Sequence, residues 1–249
     1  MSNLNSALYW LPRIEQAGLK VPKTIFVKYD HIAWIDAVER EEKDDNFKFV
    51  IEKTMTEIEI AGREIGYPVF FRTDQASAKH NGVDSYLLRS KDDLLKVVWD
   101  TVVDNELKLW LRPDQPQAFM VREYLSLDAP FIAFGGHPIA REWRYFTHNN
   151  EVLCKHFYWP EDTIKFFTDK YHSGNEPKNW KQQLANLNTP VPNLDQEVVS
   201  AALSCEDRNF WSIDFAQDKS GQWWLIDMAI GENSWHPECQ ILEELKSRP

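Results

Sequence analysis

The chain has little cysteine, an excess of negative over positive charge and no long apolar run. Each shortage closes off a class of protein. Three cysteines, Cys154, Cys205 and Cys239, occur in 249 residues. They are odd in number, far apart and form no Cys-x-x-Cys pair, so they argue against a disulfide framework or a zinc site and for reduced thiols in a cytoplasmic protein. Lys and Arg total 28 against 39 Asp and Glu, for a net charge of −11. A general nucleic-acid binder needs clustered cations to neutralise phosphates, and an acidic membrane surface needs the same. No apolar stretch approaches the roughly 20 residues of a membrane-spanning helix. The opening MSNLNSALYW has no basic region followed by an apolar run, so no secretory signal is expected. There is no internal repeat and no low-complexity tract. What is present is a large apolar complement, 43% hydrophobic with eleven tryptophans. That is enough core for one large domain or two small lobes sharing a cleft.

The most informative stretch runs from Trp211 to Glu238. Trp211, Ile213 and Phe215 alternate with Ser212, Asp214 and Ala216, which is strand periodicity. Asp218-Lys219-Ser220-Gly221 is turn chemistry, and a second strand is predicted from Trp223 to Ala229. A turn that pairs Gln217 with Gln222 puts Asp214 and Asp227 on one face, as diagonal neighbours roughly 7–8 Å apart. Two carboxylates on an apolar hairpin repel each other and resist burial, and a divalent cation would resolve both problems. Glu232 follows in a glycine-containing loop as a third ligand. The alternative is a pair of solvated acids on an outer sheet face.

The remaining elements follow from period and punctuation. A helix is predicted over Ser6–Gly18 and a strand over Thr24–Val27. A charge run over Glu39–Asp45 precedes a helix over Phe49–Gly66. Next come a strand over Tyr67–Arg72, a small-residue loop containing Lys79, and a helix over Lys91–Trp110 with Leu94, Leu95, Val98 and Val102 buried. Another strand covers Phe119–Leu125. A hairpin over 139–159 turns at Asn149-Asn150, with Glu142, Arg144 and Phe146 on one face. Residues 160–192 are polar and aromatic and broken by prolines. A helix over Asn193–Cys205, capped by Asn193 or Asp195, buries Val198, Val199, Ala202 and Leu203.

This ordered set resembles the ATP-grasp superfamily. The likeness rests on IEQAGLKVPKTIFV, on YPVFFRTDQASAKHNG, on the Phe119–Leu125 strand, on the Glu-x-Arg hairpin and on the Asp…Asp…Glu end. Most of the superfamily carries Lys where Arg72 stands. The chain resembles the small clade that uses Arg there and a Lys a few residues on, here Lys79. The family's second metal strand usually ends Glu-x-Asn, whereas this one reads Asp227-Met228-Ala229, and Glu232 or Asn233 takes the missing place.

The resemblance implies an α+β fold of two lobes gripping ATP, with residues 1–66 as an N-terminal region, 67–117 as a lid and 118–249 as the lobe with the metal site. It implies that Arg72 and Lys79 hold phosphates, while Arg122, Glu123, Tyr124 and Leu125 form a hinge against the adenine. Arg144, Glu142 and Lys155 face the transferred phosphoryl group and the substrate. Mg²⁺ sits on Asp214, Asp227 and Glu232. The implied activity is that of an ATP-dependent ligase, which activates a small-molecule, peptide or protein carboxylate as an acyl phosphate for attack by an amine. The alternative is an ATP-binding assembly chaperone or regulator of a protein partner, which the Trp224–Asp227 phrase resembles through a eukaryotic cell-division-cycle branch. A ligase needs a second pocket beside Arg144. A chaperone needs an exposed apolar patch, expected within residues 157–180.

Overall fold

The computed structural model describes residues 3–39, 45–76, 82–109, 115–171, 176–205 and 210–236. In chain order the elements are α1 (Ala7–Gln16), β1 (Thr24–Lys28), α2 (His31–Glu39), α3 (Asp45–Ile65), β2 (Val69–Thr73), β3 (Leu87–Leu88), α4 (Leu94–Leu109), β4 (Ala118–Glu123), β5 (Phe131–Ala133), β6 (His137–Ile139), β7 (Glu142–His148), β8 (Glu151–Phe157), α5 (Glu161–Tyr171), α6 (Trp180–Leu187), α7 (Asp195–Leu203), β9 (Phe210–Gln217) and β10 (Trp223–Ile230). The fold is α+β, with antiparallel sheets. No described helix is long and apolar enough to cross a membrane.

The first sheet has the order β1-β4-β2-β3 and the second β10-β9-β7-β8. Period 2 sorts each sheet's side chains into an apolar face and a mixed one. In the first sheet Val27, Val69, Phe71, Phe119 and Val121 pack with Ile58 of α3 and Val97, Val98 and Val102 of α4. In the second, Trp143, Tyr145, Trp211, Ile213, Phe215, Leu225 and Met228 pack with Trp10, Leu11 and Ile14 of α1 and Val198, Ala201 and Ala202 of α7. Met120 of β4 joins this second core from the other face of the first sheet, and so the sheets are packed together. The first sheet takes strands from all three stretches set apart in the sequence, because β1 and β2 both pair with β4.

Local signals placed most elements. Ser6 caps α1, its Oγ accepting from Leu8 N at 3.2 Å, and Gly18 ends it with φ of 76°. Asn149 and Asn150 both adopt positive φ in the β7–β8 turn, as a two-residue hairpin requires. Buried Asp74 ties this frame together, accepting from the Ser6 hydroxyl and from Gln117 N and Ala118 N.

Several expectations are corrected. Leu95 is exposed and Val97 is buried, because the apolar stripe of α4 runs through 94, 97, 98 and 102. On α7 Leu203 is exposed and Ala201 takes its place, and the cap position is Leu194 without a side-chain cap bond. The proline-broken stretch contains α5 and α6, whose Ile164, Leu184 and Leu187 bury with Phe131, Ala133, Ile139 and Trp159 in a third core. The Glu39–Asp45 charge run, Trp110 and Cys239 fall wholly or mainly outside the described residues.

Candidate functional site

A cavity of about 260 Å³ lies between the two sheets. Phe70 and Arg72 of β2 and Arg122 and Glu123 of β4 line it from the first sheet, and Glu142 of β7 with Ile226 and Asp227 of β10 from the second. Tyr124 and Leu125 close one side as the chain leaves β4. Of the residues expected to bind nucleotide, Arg72, Arg122, Glu123, Tyr124 and Leu125 all meet here. Lys79 lies outside the described residues.

Two β-bulges aim the side chains of the second sheet. The β9–β10 register is Gln217 with Trp223, not with Gln222. Asp218 sets it: its carboxylate accepts from Ser220 N, Ser220 Oγ and Gln222 N and holds the loop open by one residue. The ladder then shifts between Leu225 and Asp227, so Asp214 faces Asp227 directly. This corrects the diagonal placement, and the acids stand closer, with Cβ atoms about 5 Å apart by pair geometry. Without the bulge Asp214 would oppose Ile226, and Asp227 would point into the core. Arg122, which is buried, donates from Nη1 to the carbonyl oxygen of Ile226 at 2.5 Å and from Nε to Thr24 Oγ1 at 3.1 Å. A long-range contact thus meets the bulge.

The second bulge lies in β7–β8, between Phe146 and Thr147. Counting outward from the Asn149-Asn150 turn without it, Lys155 would oppose Arg144. With it, His156 opposes Arg144, and Lys155 opposes Tyr145 on the α7 side. Lys155 Nζ donates to Asp195 Oδ1 of α7 at 2.9 Å. Lys155 does not line the cavity between the sheets.

The result is a row across the second sheet, His156–Arg144–Asp214–Asp227, one residue from each strand. Arg144 Nε and Nη2 each donate to Asp214 at 2.7 Å, in the bidentate geometry that suits guanidinium and carboxylate. Burial works against the Arg144 charge, but Asp214 outweighs it and raises the pKa above its ordinary value. Arg144 Nη1 also donates to the Trp235 carbonyl at 3.0 Å, and the guanidinium lies 4.7 Å from the Tyr158 ring centre. At the end of the row Asp227 Oδ2 takes Arg72 Nη1 at 3.1 Å, from the other sheet. Burial and the Arg72 charge lower the Arg122 pKa, and Asp227 opposes them. Asp227 thereby faces two buried cations, with Glu15 also opposing the shift at Arg122.

The acids fit a cation unequally. Asp227 lines the cavity with its side chain 37% exposed, while that of Asp214 is 5% exposed and has both oxygens held by Arg144. Glu232 is exposed in the turn after β10 and lines neither this cavity nor the one beside Arg144. That second cavity, about 190 Å³, is bounded by Arg144, His156, Phe157, Tyr158, Trp159, Thr163 and Trp235.

Among the cavity residues given no site role from the sequence are Tyr86, His137 and Lys219. Tyr86 is buried and hydrogen-bonded to His137 Nδ1 at 2.7 Å, with its pKa raised by burial. Lys219 reaches the cavity from the β9–β10 turn, where Lys219 N donates to the Ser126 carbonyl. Nothing local marks Tyr86 or His137, which meet across 51 residues. Lys219 was visible only as a turn residue.

No curated protein matches the sequence significantly. Among solved structures, the chain is similar to C-terminally truncated Cdc123 from Schizosaccharomyces pombe at 12% identity and a TM-score of 0.58, covering 98% of this chain and 90% of that one. A RimK domain ATP-grasp protein from Sphaerobacter thermophilus matches at 11% identity and a TM-score of 0.45, covering 98% of this chain. The chain spans 62% of the length of that protein. The model of an ATP-grasp domain family, the family numbered 3 in its clade, matches residues 55–248. The chain belongs to this ATP-grasp family.

Proposed function

We propose that the protein is an ATP-dependent ligase that activates a carboxylate, of a small molecule or of a peptide, for attack by an amine. The observation that carries this reading is the pair of cavities beside one charged row. One meets Arg72 and Asp227, and the other meets Arg144. A ligase needs room for nucleotide and for acceptor on either side of the transferred group. A chaperone needs an exposed apolar patch; within 157–180 Trp159 and Ile164 are buried and Phe166 is exposed.

In this reading ATP lies in the larger cavity, with its adenine against Tyr124 and Leu125 and its phosphates toward Arg72. Lys79, by the family resemblance, would add its charge to the phosphates. Arg72 would meet a phosphate oxygen, and Asp227, with Glu232 or Asn233 from the following turn, would hold Mg²⁺. The cation neutralises phosphate charge when bound. Asp214 keeps Arg144 charged and aimed along the row toward the second cavity, where it meets the phosphoryl group or the acceptor carboxylate. Glu142 stands at the start of the same strand face and orients the nucleotide side. Phosphoryl transfer asks for positioning and charge stabilisation and needs no covalent nucleophile from the protein.

The experiment is ADP release by purified protein with MgATP against a panel of amino acids, short peptides and small carboxylates. Release that depends on one acceptor class, with a ligated product, is expected. ATP binding with no acceptor-dependent release across the panel would favour the chaperone reading.

A further inference from the structure

Behind Arg144 the row ends in a cluster that the proposed ligase chemistry does not use. Cys154 and His156 lie two apart on β8, and so on one face, and His236 returns to them from beyond β10. One ligand atom from each of the three lies within 4.8 Å of the others. Cys154 Sγ is 3.1 Å from His236 Nε2, and the two imidazole centres are 4.6 Å apart. His156 Nε2 is buried with no hydrogen-bond partner among the described residues. Burial lowers the His156 pKa, which favours the neutral imidazole that a metal needs.

We propose that Cys154, His156 and His236 form a binding site for a divalent ion of the zinc class, one that pins the chain after β10 to β8. The donors decide the class. A thiolate with two imidazoles suits a borderline-soft ion and not a hard one such as Mg²⁺, so the site is chemically distinct from Asp227. The geometry is close to what is required: around tetrahedral zinc the ligand atoms stand about 3.3–3.6 Å apart. On coordination the Cys154 thiol gives its proton to solvent, and the sulfur takes the metal in place of its contact with His236. The described residues supply three ligands, and tetrahedral zinc has a fourth position. His156 also borders the cavity beside Arg144. His236 follows Trp235, whose carbonyl accepts from Arg144. The ion therefore fixes the segment that holds Arg144 from outside the sheet.

This fold of the β8 strand also explains why the sequence argues against zinc. Cys154 has no cysteine neighbour, and its partner His236 lies 82 residues away. The bulge in β7–β8 turns Cys154 and His156 to this side, and the unbulged register would turn them away.

The test is a Co²⁺ titration of chelator-treated full-length protein, with Co²⁺ as a spectroscopic stand-in for zinc. One equivalent should develop a thiolate-to-cobalt charge-transfer band with tetrahedral visible bands, and Zn²⁺ should bleach them. Cys154→Ser should remove the charge-transfer band while leaving the metal-free melting curve unchanged. His156→Asn and His236→Asn should each weaken binding about 100-fold or more, at least as much as loss of an outer contact. Cys205→Ser should bind as the unaltered chain does. A second readout needs no variant: Zn²⁺ should slow alkylation of Cys154 at least tenfold without Mg²⁺ doing so. Absence of the thiolate band, its survival in Cys154→Ser, or unprotected Cys154 at saturating Zn²⁺ would each overturn the proposal.

Discussion

Two Arg–Asp pairs stand side by side in the cleft, and they differ in how open they are. Arg144–Asp214 is closed, with side chains 13% and 5% exposed and both carboxylate oxygens engaged within one sheet. Arg72–Asp227 joins the two sheets through a 3.1 Å contact, and its acid, 37% exposed, lines the cavity. A closed bidentate pair resists exchange, because separating it leaves a buried charge without a partner. An open pair can give up its cation to a phosphate and its carboxylate to a metal, with water covering the change. On the proposed function, the same residue types would serve as a fixture in one place and as an exchangeable contact in the other.

The strongest way to break this contrast is Asp227→Asn. It removes the exposed carboxylate and with it a hard anionic oxygen for Mg²⁺. Turnover should fall by about 100-fold or more, the scale of losing one preorganised electrostatic contact. The metal-free protein should also become less stable, because Arg72 and Arg122 lose the charge that offsets them. Steady-state ADP release and thermal melting check both. Full activity would remove Asp227 from the site.

The next comparison sets the two arginines against each other. Arg144→Ala should destabilise the fold by about 3–5 kcal/mol, since Asp214 is left buried and unpaired. Arg72→Ala should unfold far less easily, because Asp227 can hydrate, and should instead weaken ATP binding. Denaturant melts and nucleotide titrations separate the two, and equal stability losses would erase the distinction. Lys155→Met, on the far face, should leave ATP affinity within twofold of the unaltered chain.

Much of this arrangement was legible because it is local. The Asn149-Asn150 turn, the Ser6 cap and the alternation of Trp211, Ile213 and Phe215 each declare themselves within a few residues. Arg72, Glu123, Tyr124 and Asp227, which line one cavity, were singled out by the order of the motifs. Strand register was less legible. Lys155 was placed by the family likeness and the Asp214–Asp227 register by counting outward from a turn; a bulge shifts the β7–β8 register by one residue, and a longer turn plus a bulge shift the β9–β10 register by two. A bulge is set by what the strand meets in three dimensions, here Arg122 at the Ile226 carbonyl. The helices within 160–192 were hidden by prolines and polar residues, although Ile164, Leu184 and Leu187 supply their buried face.

The smallest effect sharpens the register argument. Asp218 in the β9–β10 turn has its pKa lowered to about 2, chiefly by hydrogen bonds from Ser220 and Trp224. A carboxyl whose folded pKa is depressed contributes stability above its unfolded value, near 3.8, and loses it as pH falls through the folded value. Stability should therefore decline between about pH 4 and pH 2. Asp218→Asn should flatten that part of the acid-unfolding curve, with little change in ATP affinity at neutral pH.

The central claim is that the open pair yields to nucleotide and metal. Calorimetry of ATP binding, with and without Mg²⁺, to the unaltered chain and to Asp227→Asn tests it most directly. The account predicts that Mg²⁺ strengthens ATP binding to the unaltered chain at least tenfold, and that Asp227→Asn still binds ATP but gains nothing from Mg²⁺. No ATP binding by the unaltered chain, or the same gain from Mg²⁺ in both proteins, would contradict it.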